Sequence, residues 1–524
     1  MRQWGLILGV GALALAACAP PKPPASKPAP DLQPRLDAAD ALVRVGCFDC
    51  LAAALAEYDA IRAFSSAPAP TVSAATAGGI RSAALLDLRQ RELGMADDGY
   101  LQRARDLAGA SDAVRAAFAP LFDAIETVPW RVPRYPPTGP VAANPLPFRE
   151  LQAMREQQGE ALKVRADTDA LSASVWMAFS CSSPVSRIET GALLAPLVEW
   201  RDAPFVQYRA ATCARTDRTA LAALLDREPR FVEVEFYLSS AALGARPVPL
   251  LDEAETHLKR AYEWHPRWPA AATSLGNLYM SAEEAPLALD HYDRALTCAP
   301  EHGEALMGRV RALSHLGRHD EAFTTIEQIL AGNRWSPGEV WYWRAWNELQ
   351  VNRLGEAWGS VERAGQLWAI GVVSKLAGLI AMRRQQYEVA RTKFEAGRQQ
   401  SPDDCEMMFL LGTVHAELRG WAPMADVFVS TEACVQASQR ELTRDLVRTQ
   451  SSPKLTPERK ARLIAKREQQ MRTGSRMIAT SLFNTAVAYF NLSRKADARQ
   501  YAERVSSDEQ FGERARELIS RLEK

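Results

Sequence analysis

The chain has 524 residues, with 63 Lys and Arg set against 63 Asp and Glu. Balanced bulk charge gives no footing for a nucleic-acid backbone, and this length exceeds what one hydrophobic core usually serves, so several domains or a repeat array is expected. Ala, Leu, Arg and Glu dominate and long alternating β-branched runs are missing, which argues against a β architecture and predicts an all-α body.

In chain order, Arg2 precedes an apolar run over residues 4–17, shorter than the ~20 residues a spanning helix needs. A charged start, an apolar core and small residues before a cut make a secretory signal. The run ends in Leu15-Ala16-Ala17-Cys18, which resembles a bacterial lipobox. The resemblance implies that residues 1–17 are a lipoprotein signal peptide. Cys18 would then carry a diacylglyceryl thioether and an acylated amine, palmitate being the expected acyl type. Two or more chains anchor a protein stably, at ~0.8 kcal/mol per buried CH₂. Ala19 stands where an Asp would favour inner-membrane retention, so the resemblance implies an outer-membrane lipoprotein facing the periplasm. The bland alternative is an ordinary signal peptide with an incidental Cys. Residues 18–34 then form a Pro-rich linker. Its twelve residues 19–30 favour polyproline II and would reach roughly 37 Å.

Residues 35–230 read as an irregular helical region with degenerate hairpins. Residues 39–64 suggest two short helices around Gly46, residues 80–107 and 111–127 further helices, and residues 148–165 another. Between them lies a Pro-rich strap at 128–147, which breaks regular structure. Residues 206–229 suggest another degenerate hairpin.

Residues 231–438 carry an internal repeat. Starting at Pro269, Leu275, Gly276, Tyr279, Ala288, Tyr292, Ala295 and Pro300 fall at the positions of the tetratricopeptide repeat (TPR), whose period is about 34 residues. Gly276 and Ala288 would let the two helices of a hairpin approach, and Pro300 would end the second. Later units supply Gly317, Ala322 and Ile326, then Trp341, Ala345 and Ala357, then Gly378, Ala390, Phe394 and Pro402. An insertion is expected at residues 332–336, and a distorted unit from Cys405, where Ala425 falls one place late. The array thus resembles the TPR family. That implies an all-α, TPR-like helical-hairpin solenoid, a right-handed superhelix, behind the lipoprotein signal and linker. Residues 439–476 are a charged helical insertion, with 459–472 expected as one long exposed helix. Residues 477–524 complete a terminal TPR-like hairpin and a capping helix, which a solenoid needs to shield its last face.

Chemistry-bearing patterns are few. Of eight Cys, seven remain if Cys18 is lipidated, which leaves at least one thiol unpaired. Cys47 and Cys50 are the best candidate disulfide. Buried thiols, or a redox or zinc site, are the other readings. A redox motif would want a βαβ context and zinc about four ligands. No hydrolase, zincin or phosphate-loop motif appears, so no catalytic residue, metal or cofactor is nominated and the chain is not expected to be an enzyme.

In the TPR family the concave groove is lined by the first helix of each hairpin. Carried onto this chain, that resemblance implies Asn277, Met307, Arg311, His315, Tyr342, Trp346, Lys375, Leu379, Arg383, Phe409 and Glu417. Asn277, Arg311, Tyr342, Trp346, Lys375 and Arg383 are the chosen partner-binding set. Aromatics would supply area, and cations would meet carboxylates of an extended peptide. Trp341 occupies a core position. The expected function is a membrane-anchored scaffold of the bacterial envelope that binds a partner protein or peptide, and no nucleic acid. The alternative is a glycan- or small-ligand-binding lipoprotein for uptake, as in the TPR-containing SusD-like lipoproteins, although no SusD match stands out. An envelope-polymer enzyme built from residues 30–230 is a third reading, for which no residues can be named.

Overall fold

The computed structural model describes residues 31–128, 148–181, 189–213, 217–245 and 249–523, the side chains of 148–156 excepted. The expected signal peptide, Cys18, most of the linker and nearly all of the strap lie outside these residues. Among the described residues every regular element is an α-helix.

The first ten helices are α1 (Gln33–Val45), α2 (Phe48–Arg62), α3 (Ala69–Leu93), α4 (Tyr100–Ala108), α5 (Asp112–Thr127), α6 (Phe148–Arg165), α7 (Ala170–Cys181), α8 (Thr190–Leu194), α9 (Pro204–Cys213) and α10 (Arg218–Arg227). The single helix expected over residues 80–107 is in fact two. Gly94 adopts φ 66° and ends α3, a left-handed conformation that glycine enters without a Cβ clash.

Six hairpins follow. They are α11 (Val234–Leu243) with α12 (Leu251–Trp264), α13 (Pro269–Ser281) with α14 (Ala285–Cys298), and α15 (Gly303–His315) with α16 (His319–Gly332). Then come α17 (Pro337–Gln350) with α18 (Leu354–Leu367), α19 (Gly371–Arg383) with α20 (Tyr387–Gln400), and α21 (Cys405–Glu417) with the long α22 (Trp421–Ser451). The chain closes with α23 (Pro457–Asn491), α24 (Lys495–Arg504) and α25 (Gly512–Glu523). The first helices start at residues 269, 303, 337, 371 and 405. Each interval is 34, so the insertion expected at 332–336 does not exist. Gly332 ends α16, and residues 333–336 form an ordinary connector of the same length as the one before α15.

One contact repeats along the array. The first helix presents a glycine under an aromatic ring from the second. A Cβ on Gly276 would stand 2.5 Å from the Tyr292 ring, on Gly378 2.5 Å from Phe394, and on Gly412 2.7 Å from Phe428. The aromatic follows the glycine by sixteen residues in all three. The unit from Cys405 therefore keeps its geometry, although Ala425 is displaced. Met424 and Ala425 are both buried there.

Residues before the array are not a separate body. One apolar core runs from Leu32 to Ala322. Phe48 packs edge-on against Trp264, whose indole N–H donates to Asp49 at 2.6 Å. The buried Trp268 indole donates to the Leu93 carbonyl. Cys47 and Cys50, both buried, form a disulfide at the start of α2, and Cys181–Cys213 and Cys405–Cys434 form two more. Cys298 is the one free thiol among the described residues.

The Glu233 carboxylate is fully buried and accepts the Phe48 amide at 2.8 Å. Burial raises it to about 7, with nearby Arg89 opposing the shift. The folded state therefore holds a proton that the unfolded chain gives up above the ordinary carboxyl range. Stability should fall as pH rises from about 4.5 to 7, by up to ~3 kcal/mol from this group. Compared with Glu233→Gln, which keeps an acceptor but cannot ionise, the native protein should lose ground in urea titrations across that window. A flat difference between the two would contradict it. For the hairpin contact, Gly378→Ala should cost about 1–3 kcal/mol by overpacking Phe394. Gly359→Ala, where a Cβ meets nothing within 4 Å, should add about 0.5–1 kcal/mol.

Candidate partner-binding face

The groove positions sit on α13, α15, α17, α19 and α21, but their side chains are not equally available. Met307 is fully buried. It packs with Leu306, Val310 and Ile326, which removes it from any binding surface. His315, Arg383 and Glu417 are exposed, and the other proposed positions are half-buried.

The polar members are engaged with neighbouring repeats. Asn277 donates to Glu304 at 2.8 Å and accepts from the Tyr292 hydroxyl at 2.7 Å. Arg311 pairs with Glu339, which also accepts the Trp335 indole N–H at 2.7 Å. Lys375 reaches Asp404 at 3.1 Å and also pairs with Glu406. Arg383 donates to Asn352 at 3.1 Å. Asn277, Arg311 and Lys375 thus bond forward to the start of the next unit, and Arg383 bonds back to the preceding one. The expectation of several free cations waiting for carboxylates needs correcting: these groups already have protein partners.

The aromatic members remain. Tyr342 and Trp346 on α17 and Leu379 on α19 pack partly buried against an apolar cluster that includes Ala345, Leu376 and Ile380. Tyr342 meets Trp368 edge-on at 6.2 Å, and burial raises its hydroxyl above the ordinary tyrosine value. Trp358, on α18, is covered by Arg384 and Lys393 at 5.3 and 5.7 Å, which accounts for a half-exposed Trp away from the proposed face. The result is a half-exposed aromatic and aliphatic strip flanked by neutralised charge.

A second feature went unrecognised in the sequence. α22 and α23 form a long antiparallel arm whose tip returns to the start of the array. The long helix expected over 459–472 is present within α23 and is largely exposed, but Arg459 at its start is only 4% exposed. Its guanidinium pairs with Asp252, with Glu255 at 2.7 Å and with Glu284 at 3.3 Å. Arg462 reaches Glu284 at 2.6 Å, Lys466 pairs with Glu283, and the Thr456 amide donates to Asp252. Leu455 is buried with Leu251 and Ala282. Glu255 is held down to about 2; burial opposes this, and bonds from Lys259, Tyr279 and Arg459 outweigh it. The signal was a charge imbalance. Residues 439–476 hold eleven Lys and Arg against four Asp and Glu, while Asp252, Glu253, Glu255, Glu283 and Glu284 cluster upstream.

Residues 273–339 match the family model for the tetratricopeptide repeat. Anaphase-promoting complex subunit 3 of Schizosaccharomyces pombe is 32% identical over 80 residues, which is 15% of this chain and 12% of that protein. The chain therefore spans about an eighth of that relative. Among solved structures, YrrB, described as a TPR protein with an unusual peptide-binding site, shares 18% identity and a TM-score of 0.28 over 34% of this chain and 91% of its own. PilF of Pseudomonas aeruginosa shares 16% at 0.35, over 38% and 90%. A tetratricopeptide repeat protein of Parabacteroides merdae shares 17% at 0.33, over 56% and 99%.

If the polar groove residues serve inter-repeat cohesion, their loss should be felt without any partner. Asn277→Ala strands the mostly buried Tyr292 hydroxyl and should cost about 1–2 kcal/mol in chemical denaturation. Arg383→Ala, which removes an exposed contact, should stay within ~0.5 kcal/mol. Equal effects would deny this division.

Proposed function

We propose that this protein is an interaction scaffold of the bacterial cell envelope. In this reading Cys18 anchors it to the outer membrane, on the periplasmic side. The face centred on Tyr342, Trp346 and Leu379 takes an extended, apolar or aromatic stretch of a partner protein. The observation that carries the reading is the strip itself: partly exposed apolar area on successive first helices, between cations already neutralised. An acidic tail would have to displace Glu339, Asp404 or Glu406 from their partners, whereas an apolar segment would not. The N-terminal lipobox resemblance supports the location. So do three disulfides in one chain, a usage typical of oxidising compartments.

Glycan or small-ligand uptake is the second reading, since aromatic faces also stack on sugars. It fits less well, because Asn277, Arg311 and Lys375 are occupied and a sugar needs hydrogen-bond partners around its aromatic platform.

Photocrosslinking in cells from Trp346 and Leu379, with Glu362 on the outer helix α18 as control, tests the face. One protein captured from the first two positions alone is the expected result, and Trp346→Ala should weaken its binding about thirtyfold, as for an aromatic hot spot. Equal capture from all three, or none with the protein folded in place, would refute the assignment. Separately, Cys18→Ser should move the protein from the membrane to the soluble envelope fraction. Retention at the membrane would argue against lipid anchoring.

A further inference from the structure

The arm of α22 and α23 leaves the array at one end and lands on it at the other. Its root is tied by covalent and polar bonds. Cys405–Cys434 joins α21 to α22, and Arg504 pairs with Glu432. Gln439 donates to the Met471 carbonyl and the Ser475 hydroxyl, both at 3.1 Å. Gly474 allows α22 and α23 to approach closely, since a Cβ there would stand 3.0 Å from Gln439. From Gln439 to Ser451 the arm projects roughly 18 Å at 1.5 Å per residue.

The tip is held differently. Its seal has a small apolar centre, with Leu455, Leu251 and Ala282 buried and Leu243 and Leu463 packed partly buried against them, inside a larger ring of ion pairs. Arg459, Arg462, Lys466 and Lys454 meet Asp252, Glu253, Glu255, Glu283 and Glu284. Parting such an interface returns its charged groups to water, which offsets the lost ion pairs, and salt screens the more exposed pairs of Arg462 and Lys466. The helices from α12 to α21, together with the docked arm, make a closed circuit of contacts, and in the solenoid arrangement that the array resembles the first helices line the inner side of such a curve.

We infer that the arm is a gate on the partner-binding face. Opening the ionic tip admits a polypeptide to the strip at Tyr342 and Trp346, and closing it retains that chain by enclosure as well as by contact. The inference rests on the function proposed above for that face. The bonds at the root make it the hinge, and the ion-paired tip makes it the latch.

The test needs no partner. In full-length protein carrying Cys298→Ser, a reporter thiol is placed by Trp346→Cys, with Glu362→Cys as the control on the outer helix. Each is reacted with N-ethylmaleimide and with a long-chain polyethylene-glycol maleimide. Arg459→Glu combined with Arg462→Glu should raise the rate of the bulky reagent relative to the small one roughly tenfold at Trp346→Cys, as expected for a population shift toward the open form, and leave it unchanged at Glu362→Cys. Hydrogen exchange over residues 455–466 should show the tip deprotected in the same variant. An unchanged ratio with the tip deprotected overturns the gate, and a tip that stays protected overturns the latch. If the double variant does not fold, the native arm in about 1 M NaCl, where the Debye length is about 3 Å, should give the same changes. Because no ligand enters the experiment, a face that binds something else would leave this result standing.

Discussion

The array depends on one close approach. In three of its hairpins the first helix reaches the second this closely because a glycine lies beneath an aromatic ring; α15 with α16 and α17 with α18 keep the same 34-residue spacing with Val310 and Arg344 at the equivalent place. Gly276 under Tyr292, Gly378 under Phe394 and Gly412 under Phe428 leave no room for a Cβ. That contact sets the distance between helices. It also sets the spacing of the next hairpin, since Gly308 of the following unit packs on the same Tyr292 ring. Once distance and register repeat every 34 residues, the first helices line up on one side, and that side becomes a continuous face.

Polar groups on that face are then pulled into holding it together. Asn277 and Glu304, Arg311 and Glu339, and Lys375 and Asp404 bridge neighbouring units. A half-buried polar group needs a partner, and the nearest available partner is the next repeat. The aromatic and aliphatic residues between them have no such outlet and stay partly open. Recognition on this surface is therefore weighted towards apolar contact. The same pairing operates over a longer reach at the arm tip, where a surplus of cations finds the carboxylates of α12 and of the turn before α14. Long-range closure there is electrostatic, whereas cohesion within hairpins comes from packing.

The repeat was legible because its determinants are local in sequence. A glycine and an aromatic sixteen residues apart, and a unit of 34, can be counted without coordinates. Ala425 misled the count because one marker was weighed above the glycine and ring that set the geometry. Met307 and Arg459 were misplaced for a different reason. A frame position says which way a helix faces, but not what another element will lay against it. Arg459 reads as a solvated charge on a helix until α12 arrives some 200 residues away, and nothing near it in sequence announces Asp252, Glu255 or Glu284.

By itself, the amino-acid sequence determined the helical content, the hairpin unit and its period, and the aromatic character of the face from α17 to α19, because these follow from short-range packing that recurs in register. Only the tertiary structure decided which polar groove residues are already spent on neighbours. It alone joined the first two hundred residues to the array, through Phe48, Trp264 and Trp268, and it alone turned a charged insertion into an arm docked on its own chain. Those outcomes depend on groups far apart along the chain meeting in space, where burial and charge compensation choose the partner and spacing in sequence carries no record of the choice.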